Sequence, residues 1–186
     1  MLTDVSAGAE VSCYFALKEY KLNPTDKKTN VKGLLRYRRA VPKPAYFVLQ
    51  NLCAVINGRV RPVKPGGATF TITWAGGLFG AKGSKVHQMA LTDGRNSFLA
   101  YWVPWPAQEW TVPATATIEQ GRWKSPVLVD LLNGGVYQIG KTPDGKYALP
   151  ITDYPLVITE RSSVKPLASS ADTPPEECRT APEKAW

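Results

Sequence analysis

From Thr69 onward, turn residues cut the chain into short β-prone segments, and this restricts the fold more than any other feature. Thr69-Phe70-Thr71-Ile72-Thr73-Trp74 alternates threonine with large apolar residues, which gives a strand one wet and one dry face. Residues 86–91 and 97–103 flank Thr92-Asp93-Gly94-Arg95-Asn96 and are expected to pair as a hairpin around Asp93-Gly94. Segments 114–118 and 126–132 follow. Asn133-Gly134-Gly135 turns the chain into 136–139, Pro143-Asp144-Gly145 turns it into 147–151, and 154–159 closes the series. About eight short strands with no helix between them predict a mainly β fold, an antiparallel β-sandwich over residues 59–160.

One helix precedes the strands. In Lys43-Pro44-Ala45-Tyr46-Phe47-Val48-Leu49-Gln50-Asn51-Leu52-Cys53-Ala54-Val55-Ile56-Asn57-Gly58, Pro44 suits the first turn and Asn57-Gly58 can stop the helix in a left-handed conformation. Only Gln50 and Asn51 are polar between those marks, so the helix is expected to be covered on more than one side. Tyr46, Phe47, Leu49, Leu52, Val55 and Ile56 cannot all share one face. If a neighbouring domain normally covers one side of the helix, the uncovered side predicts self-association of the whole chain and better behaviour of residues 59–160 alone, unless the strands need the helix to complete their own core. Ahead of the helix, residues 9–17 are compact, apolar and β-prone, as in a buried strand of a parallel sheet. Residues 18–43 read as a polar, basic loop. From Ser162 onward Pro, Ala, Ser, Thr and Glu dominate, and residues 161–186 are expected to be a disordered tail.

The charge of +8 raises the question of nucleic acid, but its distribution argues against it. Residues 1–64 hold 12 Lys/Arg against 4 Asp/Glu, the whole of the excess, while residues 65–186 hold 11 of each. The strand-rich part is neutral, and the basic run around Arg36-Tyr37-Arg38-Arg39 lacks interleaved aromatics beyond Tyr37, so it is read as a solvated loop. No apolar run approaches the ~20 residues that span a bilayer, and neither nucleic acid nor membrane is an expected partner. Nothing of signal-peptide type follows Met1, and the compartment stays open. Cys13, Cys53 and Cys178 form neither a disulfide framework nor a zinc spacing; Cys13 and Cys53 are expected to be small buried hydrophobes.

Candidate chemistry is sparse, and no catalytic residue, cofactor or metal ligand is assigned. The glycine-rich stretch 76–84 misses P-loop spacing and has no helix after it. His87 has no acid or cysteine nearby in sequence, and zinc needs several such ligands. Glu10 and Glu19 bracket one strand and are read as strand-end charges. Trp102, Trp105, Trp110 and Trp123 cluster in sequence. Core filling is the commoner use of such residues, and Trp105 and Trp110 are the candidates for sugar contact because neighbouring prolines can hold them outward.

Taken together, these pieces resemble the C-terminal end of a glycoside hydrolase of the large retaining clan that joins a (β/α)8 barrel to a small β-sandwich. Val11-Ser12-Cys13-Tyr14-Phe15-Ala16-Leu17 resembles the last barrel strand, Lys32-Gly33-Leu34-Leu35 the approach to the last helix, and residues 43–52 that helix. Ser97 to Trp102 is similar to the sandwich strand after a hairpin turn. Val129-Asp130-Leu131-Leu132-Asn133-Gly134-Gly135 resembles the recurrent strand and turn, and residues 149–158 the closing strands. The resemblance covers roughly residues 9–160.

It implies that residues 1–58 are a remnant of the barrel end, with an isolated strand and one helix, and that Tyr46, Phe47, Leu49, Leu52, Val55 and Ile56 dock a catalytic barrel of the same polypeptide. The clan's two catalytic glutamates stand at the ends of the fourth and seventh barrel strands, upstream of the part matched here, so the chain alone is expected to be inactive. Its implied role is that of a non-catalytic accessory domain in carbohydrate metabolism. A free-standing carbohydrate-binding module, which takes a polysaccharide or oligosaccharide, is the alternative.

Overall fold

The period-two alternation expected of the strands is what divides the molecule into its cores. The computed structural model describes residues 2, 16–21, 23, 25, 27, 33–56, 60–63, 68–72, 86–103, 112–118 and 123–165. Among these, helix α1 (Pro44–Val55) precedes β1 (Arg61–Pro62), β2 (Ala68–Ile72), β3 (His87–Thr92), β4 (Ser97–Trp102), β5 (Val112–Ile118), β6 (Pro126–Asp130), β7 (Val136–Gln138), β8 (Tyr147–Ile151) and β9 (Leu156–Glu160). All eight expected segments form strands, and only the short β1 is additional. A six-stranded antiparallel sheet runs β1-β3-β4-β9-β6-β7, and a second sheet runs β2-β5-β8.

The β3–β4 hairpin closes from Thr92↔Ser97 to His87↔Trp102. Its turn is held by Asp93, whose Oδ1 accepts from the backbone N–H of Arg95 at 2.8 Å and of Asn96 at 2.6 Å, with Gly94 at φ 90°. Those donors, the Asn96 backbone first, hold the Asp93 carboxyl below the usual carboxylate range.

On the larger sheet, successive side chains go to opposite faces. Leu99, Tyr101, Leu128, Leu156 and Ile158 join Ala116, Tyr147, Leu149 and Ile151 of the smaller sheet in one core cluster. Met89, Leu91, Phe98, Ala100, Val127, Val129 and Val157 form the other, and Val55 of α1 belongs to it while Val48, Leu52 and Ile56 pack against it. The helix thus packs with side chains of one face of the six-stranded sheet, and those of the other face share a core cluster with the smaller sheet. Each fully buried Leu, Ile, Val or Phe contributes about 1.5–3 kcal/mol relative to exposure.

Cover on several sides of α1 was expected, but its buried positions are Phe47, Asn51 and Val55, spaced by four. Pro44, Ala45, Gln50, Cys53 and Ala54 are exposed. The lack of polar residues misleads because small side chains fill the outer stripe, where exposure costs little. Cys53, expected to be buried, is exposed for the same reason. Pro44 does open the helix, whereas the stop at Asn57-Gly58 lies outside the described residues.

Of the isolated N-terminal strand, residues 9–15 lie outside the described residues, and Leu17 is 62% exposed. Lys18 bridges Leu35 in parallel, and Leu35 pairs antiparallel with Pro42. Ordered chain runs past the expected end at Glu160: Arg161–Ser163 is a 3-10 helix and Val164 packs on the helix-side core. Residues 166–186 of the expected tail lie outside the described residues.

Candidate functional site

Side-chain alternation along β6 places Leu128 in the core between the sheets and Asp130 two residues further on the same face. The apolar face of the strand therefore ends in a carboxylate. One oxygen, Oδ1, accepts from the N–H of Leu132 at 2.8 Å and of Asn133 at 3.4 Å, which organises the turn after β6. The backbone closes that turn through Gly134 N–H to Asp130 O at 2.9 Å, with Gly134 at φ 71°. The other oxygen, Oδ2, accepts from the Tyr154 hydroxyl at 3.1 Å.

A second tyrosine is fixed by the same turn. Asn133 Nδ2 donates to the Tyr137 hydroxyl oxygen at 3.1 Å, and Gly135 N–H donates to Asn133 Oδ1 at 2.7 Å. The Tyr137 ring lies so close over Gly135 that a Cβ there would meet its outer atoms at 2.4–2.6 Å. Tyr137 is nevertheless 49% exposed, one of the few large hydrophobic residues so open among the described ones.

These groups line a pocket of about 340 Å³. Leu128, Leu156, Ile139, Ala148 and Pro150 contribute apolar surface, with Tyr137 and Gln138 beside them. Thr152, Tyr154 and Asp130 supply further polar groups. Among the described strands β7 is an edge of the larger sheet and β8 an edge of the smaller, and the pocket is lined by residues of both.

Two tyrosines at or behind the pocket have their hydroxyls shifted upward. Burial, then the Asp130 charge and the Asp130 hydrogen bond, pushes the Tyr154 hydroxyl well above the ordinary phenol range. Burial and then Asp130 do the same to Tyr101, whose hydroxyl donates to Pro150 O at 3.0 Å behind the pocket. Both phenols stay protonated near neutrality. Among the described residues Asp130 is the one carboxylate lining the pocket, and no group of three His, Cys, Asp or Glu could hold a metal ion.

The residues singled out from sequence are dispersed. Trp105, Trp110, Glu10 and the stretch 76–84 lie outside the described residues. His87 is exposed at the start of β3, its ring 5.7 Å from that of Trp102. Trp102 packs on the helix-side core, while Trp123 packs on the core between the sheets and donates from Nε1 to Ser97 O at 2.9 Å. Glu19 receives Lys43 Nζ at 2.8 Å and the Tyr37 N–H at 3.1 Å, a tether for the loop before α1. Of the helix residues, Leu52, Val55 and Ile56 pack on the sheet, Phe47 is buried outside both cores, and Tyr46 and Leu49 are half-buried.

Asp130, Tyr137 and Tyr154 were not candidates. Their signal was the aspartate at the end of an apolar strand and the tyrosine two residues after Gly-Gly, which read as punctuation only. No model of a known protein family matches the chain, and no curated protein matches it.

Proposed function

We propose that the chain is the C-terminal accessory domain of a retaining-clan (β/α)8-barrel glycoside hydrolase, its two sheets a β-sandwich and its helix the last of the barrel. The observation that carries this reading is the attachment of α1 to the larger sheet: Val55 is part of the helix-side core, and Asn51 Nδ2 donates to Leu131 O at 2.9 Å. An element built like the end of an α/β unit is thereby held on the face of an antiparallel sheet, as a buttress between two domains requires. Of the six residues expected to dock the barrel, Leu52, Val55 and Ile56 pack on the sheet instead; at 100° per residue Tyr46 and Leu49, with Gln50 and Cys53, lie on the side of α1 away from it, and this is the side offered to the barrel. On this reading the barrel carries the catalytic pair and the chemistry, and the chain alone is expected to hydrolyse no glycoside.

The coding DNA directly upstream of the Met1 codon tests the proposal. In-frame barrel strands, two of them ending in glutamate, support it; an in-frame stop or an unrelated fold overturns it. A second reading, a free-standing carbohydrate-binding module, draws on the pocket at Tyr137 and Tyr154, because aromatic rings beside a few polar groups are what sugar recognition uses.

A further inference from the structure

We infer that the pocket between the edge strands β7 and β8 is a binding subsite for a neutral pyranose unit of an oligosaccharide, with the Tyr137 ring as its platform. The choice of a sugar rests on reading the chain as part of a carbohydrate-active protein; the existence of a built site does not. Two features make the site built. The ring of Tyr137 is held, through its hydroxyl by Asn133 and with its outer atoms close over Gly135, yet 49% of the residue is exposed. An open tyrosine normally loses rotamer freedom on binding, and one already fixed does not. The Tyr154 hydroxyl is likewise held, on Asp130 Oδ2 at 3.1 Å.

Ligand chemistry follows from what lines the space. Asp130, the one charged lining group, disfavours an anion. Leu128, Ile139 and Pro150 call for an apolar surface, while Gln138, Tyr137 and the carboxylate oxygens call for hydroxyl groups around it. A pyranose has both, C–H faces and a rim of hydroxyls. At about 340 Å³ the space is at the low end of the ~300–1,000 Å³ usual for ligand sites, so it takes one ring of a chain that continues into solvent.

Titration of the full chain with hexasaccharides of xylan, β-1,4-glucan, β-1,4-mannan and chitin, followed by amide chemical shifts, tests the inference. The expected result is a dissociation constant of about 0.1–1 mM for at least one of them, with shifts at residues 135–139 and 150–154. Tyr137→Ala should weaken binding at least about tenfold while the dispersion of the core amides is retained. Gly135→Val should do the same with the tyrosine still present, because its side chain displaces the ring. No shift up to about 10 mM of any sugar, binding unchanged in both variants, or shifts confined to residues 102–111 would overturn it. Upstream sequence separates the two proposals: a barrel encoded there with no sugar binding here sinks the subsite alone, and binding without an upstream barrel sinks the accessory-domain reading alone.

Discussion

The side-chain amide of Asn51, in the middle of α1, donates a buried 2.9 Å hydrogen bond to the carbonyl oxygen of Leu131, just beyond the end of β6. Asn51 is fully buried, and so is Leu131. One polar group thus fixes both the rotation of the helix and its position along the sheet, where apolar contacts alone would let it slide.

Replacing Asn51 with alanine leaves the Leu131 carbonyl buried without this donor, a loss of about 1–3 kcal/mol. Urea unfolding should show the midpoint falling with little change in slope. A loss below about 0.5 kcal/mol would mean that the helix is held by its apolar contacts only.

The pair of Glu19 and Lys43 should matter to the loop rather than to the fold. Glu19 Oε1 meets Lys43 Nζ at 2.8 Å and Oε2 accepts from Tyr37 N–H at 3.1 Å, so one partly buried carboxylate ties residue 19 to both ends of the turn at residues 36–41. Arg36, Arg38 and Arg39 are exposed in that turn, and Ala40 sits at φ 54°. In Glu19→Gln, trypsin should nick this turn about tenfold faster, with global unfolding little changed. Equal nicking rates would show that the tether contributes nothing.

Stability should fall as pH rises above the ordinary phenol value near 10.0, because burial raises the Tyr101 hydroxyl and, less completely, that of Tyr154. The sign follows from proton counts: the unfolded chain loses these protons first, so it binds fewer than the native state and unfolding becomes more favourable with pH. Each such group adds a slope of up to about 1.4 kcal/mol per pH unit, less for half-exposed Tyr154. Tyr101→Phe should cost about 1 kcal/mol at pH 7, through its lost bond to Pro150 O, and flatten the slope above pH 10. An unchanged slope between pH 10 and 11.5 would show that Tyr101 ionises as readily in the folded protein.

A shortened chain spanning residues 59–160 should aggregate or fail to fold, the reverse of the expectation from sequence. Removing α1 uncovers Met89, Leu91, Phe98, Val127, Val129 and Val157, all buried on the helix side. The whole chain exposes no large hydrophobic side chain of the helix. Light scattering at matched concentrations should find the whole chain better behaved, and a monodisperse whole chain beside an unfolded 59–160 chain would count for a helix that belongs to the sheets and against one borrowed from a barrel. A folded, monodisperse 59–160 chain would show that the sheet does not need the helix.

The strands, their turns and the start of the helix were legible from local pattern. Alternation of side chains dictates strands because the pleat has a period of two. Gly94, Gly134 and Gly145, which all adopt positive φ, occupy the turns that their dipeptides predict. Pro44 opens the helix for the equally local reason that its missing N–H is not needed there.

What covers each face was not legible, because it depends on pairings between residues far apart in the chain. The placement of β9 between β4 and β6, and of α1 on one side of that sheet, required the tertiary fold. The pocket is the clearest case. Asp130, Tyr137 and Tyr154 stand on three separate stretches, and Ala148 and Pro150 on another sheet; only the meeting of two sheet edges gives them a common space. Sequence placed each residue on a strand or in a turn, and long-range packing decided which of them face one another.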